Sequence, residues 1–335
     1  MAIQPRDDRW EAILEELLYE IAQQTKDTLF RGSCYGWLIT VGLDDSIRML
    51  NPVTRAQIYL PPMSTLPTVI SYQPESHDHE YKLRERNDQI YTFEKWYMQR
   101  AIFRKFVLSC PPDDENQDFM AVAIVIIESH LSLCYCRRGD KKWTQLTRLT
   151  NLYFEDVIFH EGKINVVDGN CFIYEFDMKT TLGGLSRRPS FDNNVRKNHA
   201  DDHRYLVQSS DGLLLVVKHG KWVQGEEGDT ENEKLRTYNF SVFKLNECQN
   251  KWSVMKSLNN YVLMLGYNSS ICVMPHAIPR DKGNCIYYSD DWLELQYGQI
   301  EGVGYDNGVF DFEDGAVHPF FRDTDLICPA PIWLL

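Results

Sequence analysis

Short apolar blocks separated by polar turns run along most of the chain. The clearest series lies between Tyr205 and Leu258: Tyr205-Leu206-Val207, Leu213 to Val217, Phe240 to Leu245, and Trp252 to Met255. β-branched and aromatic residues fill these blocks, as half-buried pleated strands favour. Ser209-Ser210-Asp211-Gly212 supplies hairpin chemistry, because glycine takes positive φ without a Cβ penalty. Four strands joined by such turns predict an antiparallel meander, the size of one blade of a β-propeller.

The same grammar recurs on both sides of that stretch. Gly36 to Val41, Ile47 to Leu50 and Ala56 to Leu60 predict three strands, stopped by Pro61-Pro62. Residues 63 to 100 carry runs of alternating charge and are expected to form a long exposed loop. Phe103 to Ser109 is then expected to complete this first blade. Phe119 to Ile127, Leu131 to Cys136 and Trp143 to Leu149 predict a second unit. Val157 to His160, Lys163 to Val167 and Cys171 to Phe176 predict a third, with turns at Glu161-Gly162 and Asp168-Gly169-Asn170. Residues 179 to 203, rich in Gly, Arg, Asn and Asp, are expected as another long loop. Val262 to Val273, Asn284 to Ser289 and Gly308 to Glu313 form a fifth unit after the one at Tyr205. Ile332-Trp333-Leu334 is a last apolar block, placed to close the ring beside Leu29 to Ser33. The prediction is an all-β chain folded as a single β-propeller, with five clear blades, or six if the ends assemble another.

One segment has a different period. Trp10, Ile13, Leu14, Leu17, Leu18 and Ile21 make one apolar stripe, which predicts a short N-terminal helix over residues 8 to 25. The expected organisation is therefore a helical segment, 1–27, followed by a propeller, 28–335.

Composition narrows the function classes. Hydrophobic residues at 43% and charged residues at 25% fit a globular domain, and a net charge of -13 counts against non-specific binding to nucleic acid or to an anionic membrane. The longest apolar run, Met120 to Ile127, is too short to span a bilayer. The N-terminus is acidic and amphipathic, unlike a secretory signal. The 9 cysteines include no Cys-x-x-Cys and mostly sit in apolar runs, which points to reduced thiols in cytoplasm or nucleus. Cys134 and Cys136 lack a second pair at ligand spacing, so no zinc site is expected.

Candidate chemistry is sparse. His77 and His79 flank Asp78, and Asp290-Asp291 follows an apolar block, but a solvated loop and a strand-end turn account for them. His160, His203 and His276 have no evident partners in the sequence. The short basic patches Arg187-Arg188 and Arg196-Lys197 suit a solvated loop. No phosphate loop, dinucleotide fingerprint, nucleophile elbow or His-Glu-x-x-His occurs, and no catalytic residue, cofactor or metal is predicted. Trp37, Trp143 and Trp252 lie in predicted strands and are expected between blades. Trp96, Trp222 and Trp292 lie near predicted loops and are the candidate partner-binding residues, since tryptophan is enriched in binding hot spots.

Several motifs together resemble the plant F-box proteins with a KIB-type propeller. They are Gly32 to Thr40, Leu50-Asn51-Pro52-Val53-Thr54-Arg55, Leu60-Pro61-Pro62, Phe103 to Ser109, Phe243 to Trp252, Gly283 to Asp291, and Gly308-Val309-Phe310-Asp311. Each is short; their number and order carry the resemblance, from about residue 30 onward. It implies a substrate adaptor of a cullin-RING ubiquitin ligase, in which an F-box grips a Skp-type linker and the propeller presents a protein target. Trp10, Leu17, Leu18 and Ile21 then correspond to linker contacts, with Ile13 and Glu16 beside them. The chain departs from the pattern at Leu14, where the F-box has proline, and Leu29-Phe30 leads into the propeller motif without the later F-box helices. These departures count against linker binding and leave an interaction protein without ligase function as the alternative. A propeller enzyme of hydrolase or lyase type, using several of Asp156, His160, His203 and Asp290, is the remote one.

Overall fold

A computed structural model describes residues 28–76, 79–84, 88–113, 118–127, 130–146, 153–179, 184–187, 201–223, 234–249, 251–266, 269–274, 283–289, 306–319 and 333. The predicted helix at 8–25, with Trp10, Leu17, Leu18 and Ile21, lies outside these residues, as do Trp292 and Asp290-Asp291. The first strand begins at Thr28.

Five sheets carry the predicted units. The first holds β1 (Thr28–Cys34), β2 (Trp37–Gly42), β3 (Ile47–Leu50) and β4 (Gln57–Leu60) in sequential antiparallel order. An insertion follows, containing β5 (Val69–Tyr72), β6 (Tyr81–Arg84), β7 (Ile90–Phe93) and the helix α1 (Lys95–Ala101). The second blade holds β8 (Phe103–Leu108), β9 (Met120–Ile127), β10 (His130–Arg137) and β11 (Thr144–Gln145). The third holds β12 (Phe154–His160), β13 (Lys163–Asp168), β14 (Ile173–Asp177) and β15 (Gly184–Arg187). The fourth holds β16 (His203–Ser209), β17 (Gly212–Val223), β18 (Lys234–Asn246) and β19 (Lys251–Met255). The fifth holds β20 (Val262–Leu265), β21 (Ile271–Val273), β22 (Cys285–Tyr288), β23 (Gly308–Asp311) and β24 (Val317–Pro319).

Local chemistry explains the hairpins. Tyr35 and Gly36 have φ of 52° and 75° between the paired residues Cys34 and Trp37, and Glu161 and Gly162 have φ of 51° and 74° between His160 and Lys163. Two consecutive positive φ values give the turn whose twist matches that of the flanking strands. Asp168 Oδ1 accepts from the amides of Asn170 at 2.9 Å and Phe172 at 2.8 Å, an aspartate-built turn at the predicted place.

Packing follows from stacking blades around a common axis. On β9, Ala121, Ala123 and Val125 join the cluster shared with the first blade, while Met120, Val122 and Ile124 join the cluster shared with the third. On β17, Leu213, Leu215 and Val217 face the third blade, and Leu214 and Val216 face the fifth. Both faces of a central strand are buried, so its sequence reads as a continuous apolar run. The innermost strands β1, β8, β12, β16 and β21 pack in succession. The ring closes where the Ser269 amide donates to Ser33 O at 2.9 Å. Ser33 Oγ also donates to the Trp333 carbonyl, and Trp333 Nε1 donates to Leu265 O at 2.8 Å. Trp333 thus reaches Ser33 in the predicted closing neighbourhood.

Four sequence expectations need correction. Residues 63–100 are not one long loop: β5, β6 and β7 form a three-stranded sheet and α1 follows, anchored on the first blade by Tyr81 Oη donating to Asp45 at 2.7 Å and Gln99 Nε2 donating to Val41 O at 2.9 Å. Phe103–Leu108 is the inner strand of the second blade, because it pairs with β9 and not with the first sheet. Within 179–203, residues 184–187 extend the third blade as β15. In the fifth blade, Val262 to Val273 divides into β20 and β21, and β20 pairs parallel to β22, so that sheet is not a simple meander.

Candidate functional site

The starts of the innermost strands meet on one face of the ring. Lys105 of β8 pairs with Asp156 of β12 at 2.7 Å, and Arg204 of β16 pairs with Glu155 of β12 at 3.1 Å. On β8, β12 and β16 the charge sits at the second or third position of a mostly apolar strand, which aligns these side chains around the axis.

The Lys105–Asp156 pair is the deepest part of this arrangement. Its side chains are 4% and 0% exposed. Asp156 also accepts from the amides of Val157 at 2.7 Å and Leu206 at 2.8 Å, and from Ser270 Oγ at 3.2 Å. Lys105 donates to Ser270 at 3.3 Å and lies over the Tyr205 ring, 5.6 Å from its centroid. The second, third, fourth and fifth blades therefore share one polar knot, each group satisfied by the others. Burial pushes the Asp156 carboxyl above the ordinary aspartate range, while Lys105 and the two amides pull it down. Burial likewise raises Glu155, opposed by Arg204 and Arg104. With so little exposure, the knot joins the inner strands to one another.

Closer to the surface, Arg104 donates to Tyr153 Oη at 3.1 Å and to His203 Nδ1 at 3.0 Å. A guanidinium only donates, so Nδ1 of His203 accepts and carries no proton. Lys218 of β17 lies 3.7 Å from Asp306, which also accepts from Thr237. At the opposite ends of β12 and β16, His160 contacts Gln208 and lies 3.2 Å from Glu247. Asp156 and His160 thus lie toward opposite ends of one strand, and with His203 they do not converge on one pocket. Among the described residues, no group of three or more His, Cys, Asp or Glu is placed to hold a metal ion, and no helix is long and apolar enough to cross a membrane.

The same face carries exposed aromatic rings. Trp222 lies where β17 runs past the start of β16, since His203 pairs with Lys218 and the strand continues to Val223. Tyr238 of β18 sits beside His219 there, with ring centroids 6.0 Å apart. Tyr153 immediately precedes β12. Trp96 is on α1, which leads into β8 and is held over the first blade by Gln99. Exposures are 40% for Trp96, 54% for Tyr153, 44% for Trp222 and 43% for Tyr238. Trp96 and Trp222 were expected near loops; they are on a helix and a strand, and both indoles reach solvent. Trp37 and Trp143 are buried in the cluster between the first two blades, and Trp252 packs between the third and fourth.

Sequence reasoning missed Tyr153, Tyr238 and the pairing of Lys105 with Asp156. A signal for the pair was present: Phe103-Arg104-Lys105-Phe106 and Phe154-Glu155-Asp156-Val157 each bring charge into an otherwise apolar run at the same place. Nothing local says that the two runs are neighbours.

A family model described as the KIB1-4 beta-propeller matches residues 11–311. F-box protein SKIP23 of Arabidopsis thaliana is 24% identical over 327 residues, covering 90% of this chain and 74% of that protein. F-box/kelch-repeat protein KIB1 of the same plant is 24% identical over 202 residues, covering 59% of this chain and 46% of that protein. The chain therefore spans less than half of KIB1's length. Among solved structures, the N-terminal domain of Nup159 aligns with a TM-score of 0.35 and 10% identity, over 90% of this chain and 65% of that one.

Proposed function

The chain belongs to the KIB1-4 β-propeller family, and on that premise we propose that it is a protein-binding module whose target docks on the face where the inner strands begin. The observation that carries this reading is the gathering of Trp96, Tyr153, Trp222 and Tyr238 on that face, each substantially exposed. Large rigid aromatic side chains gain contact area at low conformational cost, and they anchor many protein interfaces. The propeller beneath supplies rigidity through its shared polar knot and its apolar blade contacts.

By similarity to proteins named as F-box members, the docked target would be a ubiquitination substrate, presented through a Skp-type linker. The eight described cysteines are free, which suits the cytoplasm or nucleus. Two measurements test the halves separately. Folded protein mixed with a Skp-type linker and a cullin should co-purify with both; no co-purification rejects the ligase half. Quantitative affinity capture should lose its specific partner in Trp96→Ala/Trp222→Ala and keep it in Tyr35→Ala, a ring exposed in the β1–β2 turn at the far end of β1. Equal capture by both variants rejects the docking face. A second reading, target binding without a ligase, is favoured by Leu14 standing where the F-box pattern has proline; it predicts partner capture without linker binding.

A further inference from the structure

Each of the two exposed indoles on the docking face is held by a carboxylate. Trp96 Nε1 donates to Glu94, and Trp222 Nε1 donates to Asp201 at 2.9 Å. We propose that these two indole–carboxylate corners receive basic side chains, so that the partner segment docking here is rich in lysine or arginine. This rests on the reading that the face is a docking surface, and it specifies the partner's chemistry.

The physical basis is local. The face of an indole ring is electronegative and attracts a cation within about 6 Å of its centroid. A carboxylate that accepts one N–H bond at the ring edge keeps further lone-pair positions for a second donor. A lysine or arginine side chain can therefore lie its methylene stem on the ring and set its charge at the carboxylate. Together the two attractions are stronger than either an exposed ion pair or an exposed ring contact alone.

The rest of the face already uses this chemistry internally. Arg104 lies over Tyr153 at 5.3 Å and Lys221 over Tyr238 at 5.6 Å. The two tyrosines thus carry the chain's own cations, whereas the two indoles carry its carboxylates. Lys95, the basic neighbour of Trp96, is directed to Glu80 at 3.8 Å. The whole chain has a net charge of -13. A basic segment would be drawn to a chain of this net charge and an acidic one repelled.

The test uses the full chain and three synthetic peptides of equal length: lysine–glycine, glutamate–glycine and serine–glycine. The indole N–H resonances of Trp96 and Trp222 are followed by NMR at physiological salt. The lysine peptide should shift both, and the other two should shift neither. Glu94→Gln and Asp201→Asn should each weaken lysine-peptide binding by about three- to tenfold, while Asp314→Asn, an exposed acid of the fifth blade, should leave it unchanged. Glutamate-peptide binding at these indoles would overturn the proposal. So would equal weakening by Asp314→Asn, which would mark the effect as long-range attraction. If Trp96→Ala/Trp222→Ala loses the captured partner while Glu94→Gln/Asp201→Asn keeps it in full, the basic-partner inference fails and the docking face stands. If the tryptophan variant keeps the partner, the face itself is wrong.

Discussion

Lys105 and Asp156 meet at 2.7 Å with almost no exposure, joining the inner strands of two neighbouring blades. Two further blades reach the same carboxylate through the Leu206 amide and the Ser270 hydroxyl. A buried ion pair contributes little relative to an apolar pair of the same shape, but removing one partner strands the other without water.

That asymmetry sets the first expected outcome. Lys105→Met should destabilise the protein by about 3–5 kcal/mol, because Asp156 remains buried beside apolar neighbours. Lys105→Met/Asp156→Asn should recover part of the loss, since Asn carries no charge and its one carbonyl oxygen can still accept from either the Leu206 or the Val157 amide. Urea unfolding of the two variants checks this, and a double variant no more stable than the single one would contradict it.

The ring should open at one seam before the others. Four apolar clusters lie between the first and second blades, second and third, third and fourth, and fourth and fifth. Among the described residues, the fifth and first blades meet instead through Ser269, Ser33 and Trp333, with Trp333 edge-on to Tyr287 at 5.9 Å. Trp333→Ala should cost less than the about 3–5 kcal/mol of a fully buried tryptophan. Hydrogen exchange should then rise first in β1 and β20, with β9 and β17 still protected.

One carboxylate joins the insertion to the first blade beside the Gln99 contact and the shared apolar cluster. Asp45 accepts from the Ser64 amide and from Tyr81 Oη, both at 2.7 Å, and from Ser64 Oγ. Asp45→Ala should cost about 1–3 kcal/mol by leaving these donors unmatched. The loss should be local: limited proteolysis should cut within 67–93 in the variant while the propeller core persists. Cleavage spread over all blades would show that the insertion is not a separate unit.

Thiol chemistry should divide by burial. Burial pushes Cys134 and Cys136 from 9.0 to about 12. Cys272 rises to about 12 as well, chiefly by burial and further by Asp211. The thiolate is the nucleophile, so iodoacetamide at mildly alkaline pH should label exposed Cys248 well before these three. The sign for stability follows from the raised values. Unfolded thiols ionise near 9 and folded ones near 12, so the contribution of these groups is whole below 9 and falls as pH rises from 9 to 12. Mass spectrometry after timed labelling checks the first outcome, and unfolding midpoints of the corresponding Cys→Ser variants across that range check the second.

What the sequence determined alone is most of the blade strands and their turns. A strand buried on both faces must be apolar at consecutive positions, and Met120 to Ile127 and Leu213 to Val217 say so without reference to the rest of the chain. Two-residue turns such as Tyr35-Gly36 and Glu161-Gly162 need positive φ, which a glycine at the right place announces. The motif order from Gly32 to Asp311 likewise led to the family. Tertiary structure decided everything that depends on distant neighbours. The parallel pairing of β20 with β22 skips a strand, and no local turn encodes it. The strands of the insertion are four residues each, and β6 exposes Lys82 and Arg84, so the segment reads as loop until its buried residues meet the first blade, as Tyr81 does at Asp45. Trp96 and Trp222 are 126 positions apart in number, and only the ring brings both to one face. Hydrophobic period is a property of each segment by itself; a shared face or a shared ion pair exists only once the segments are placed around a common axis.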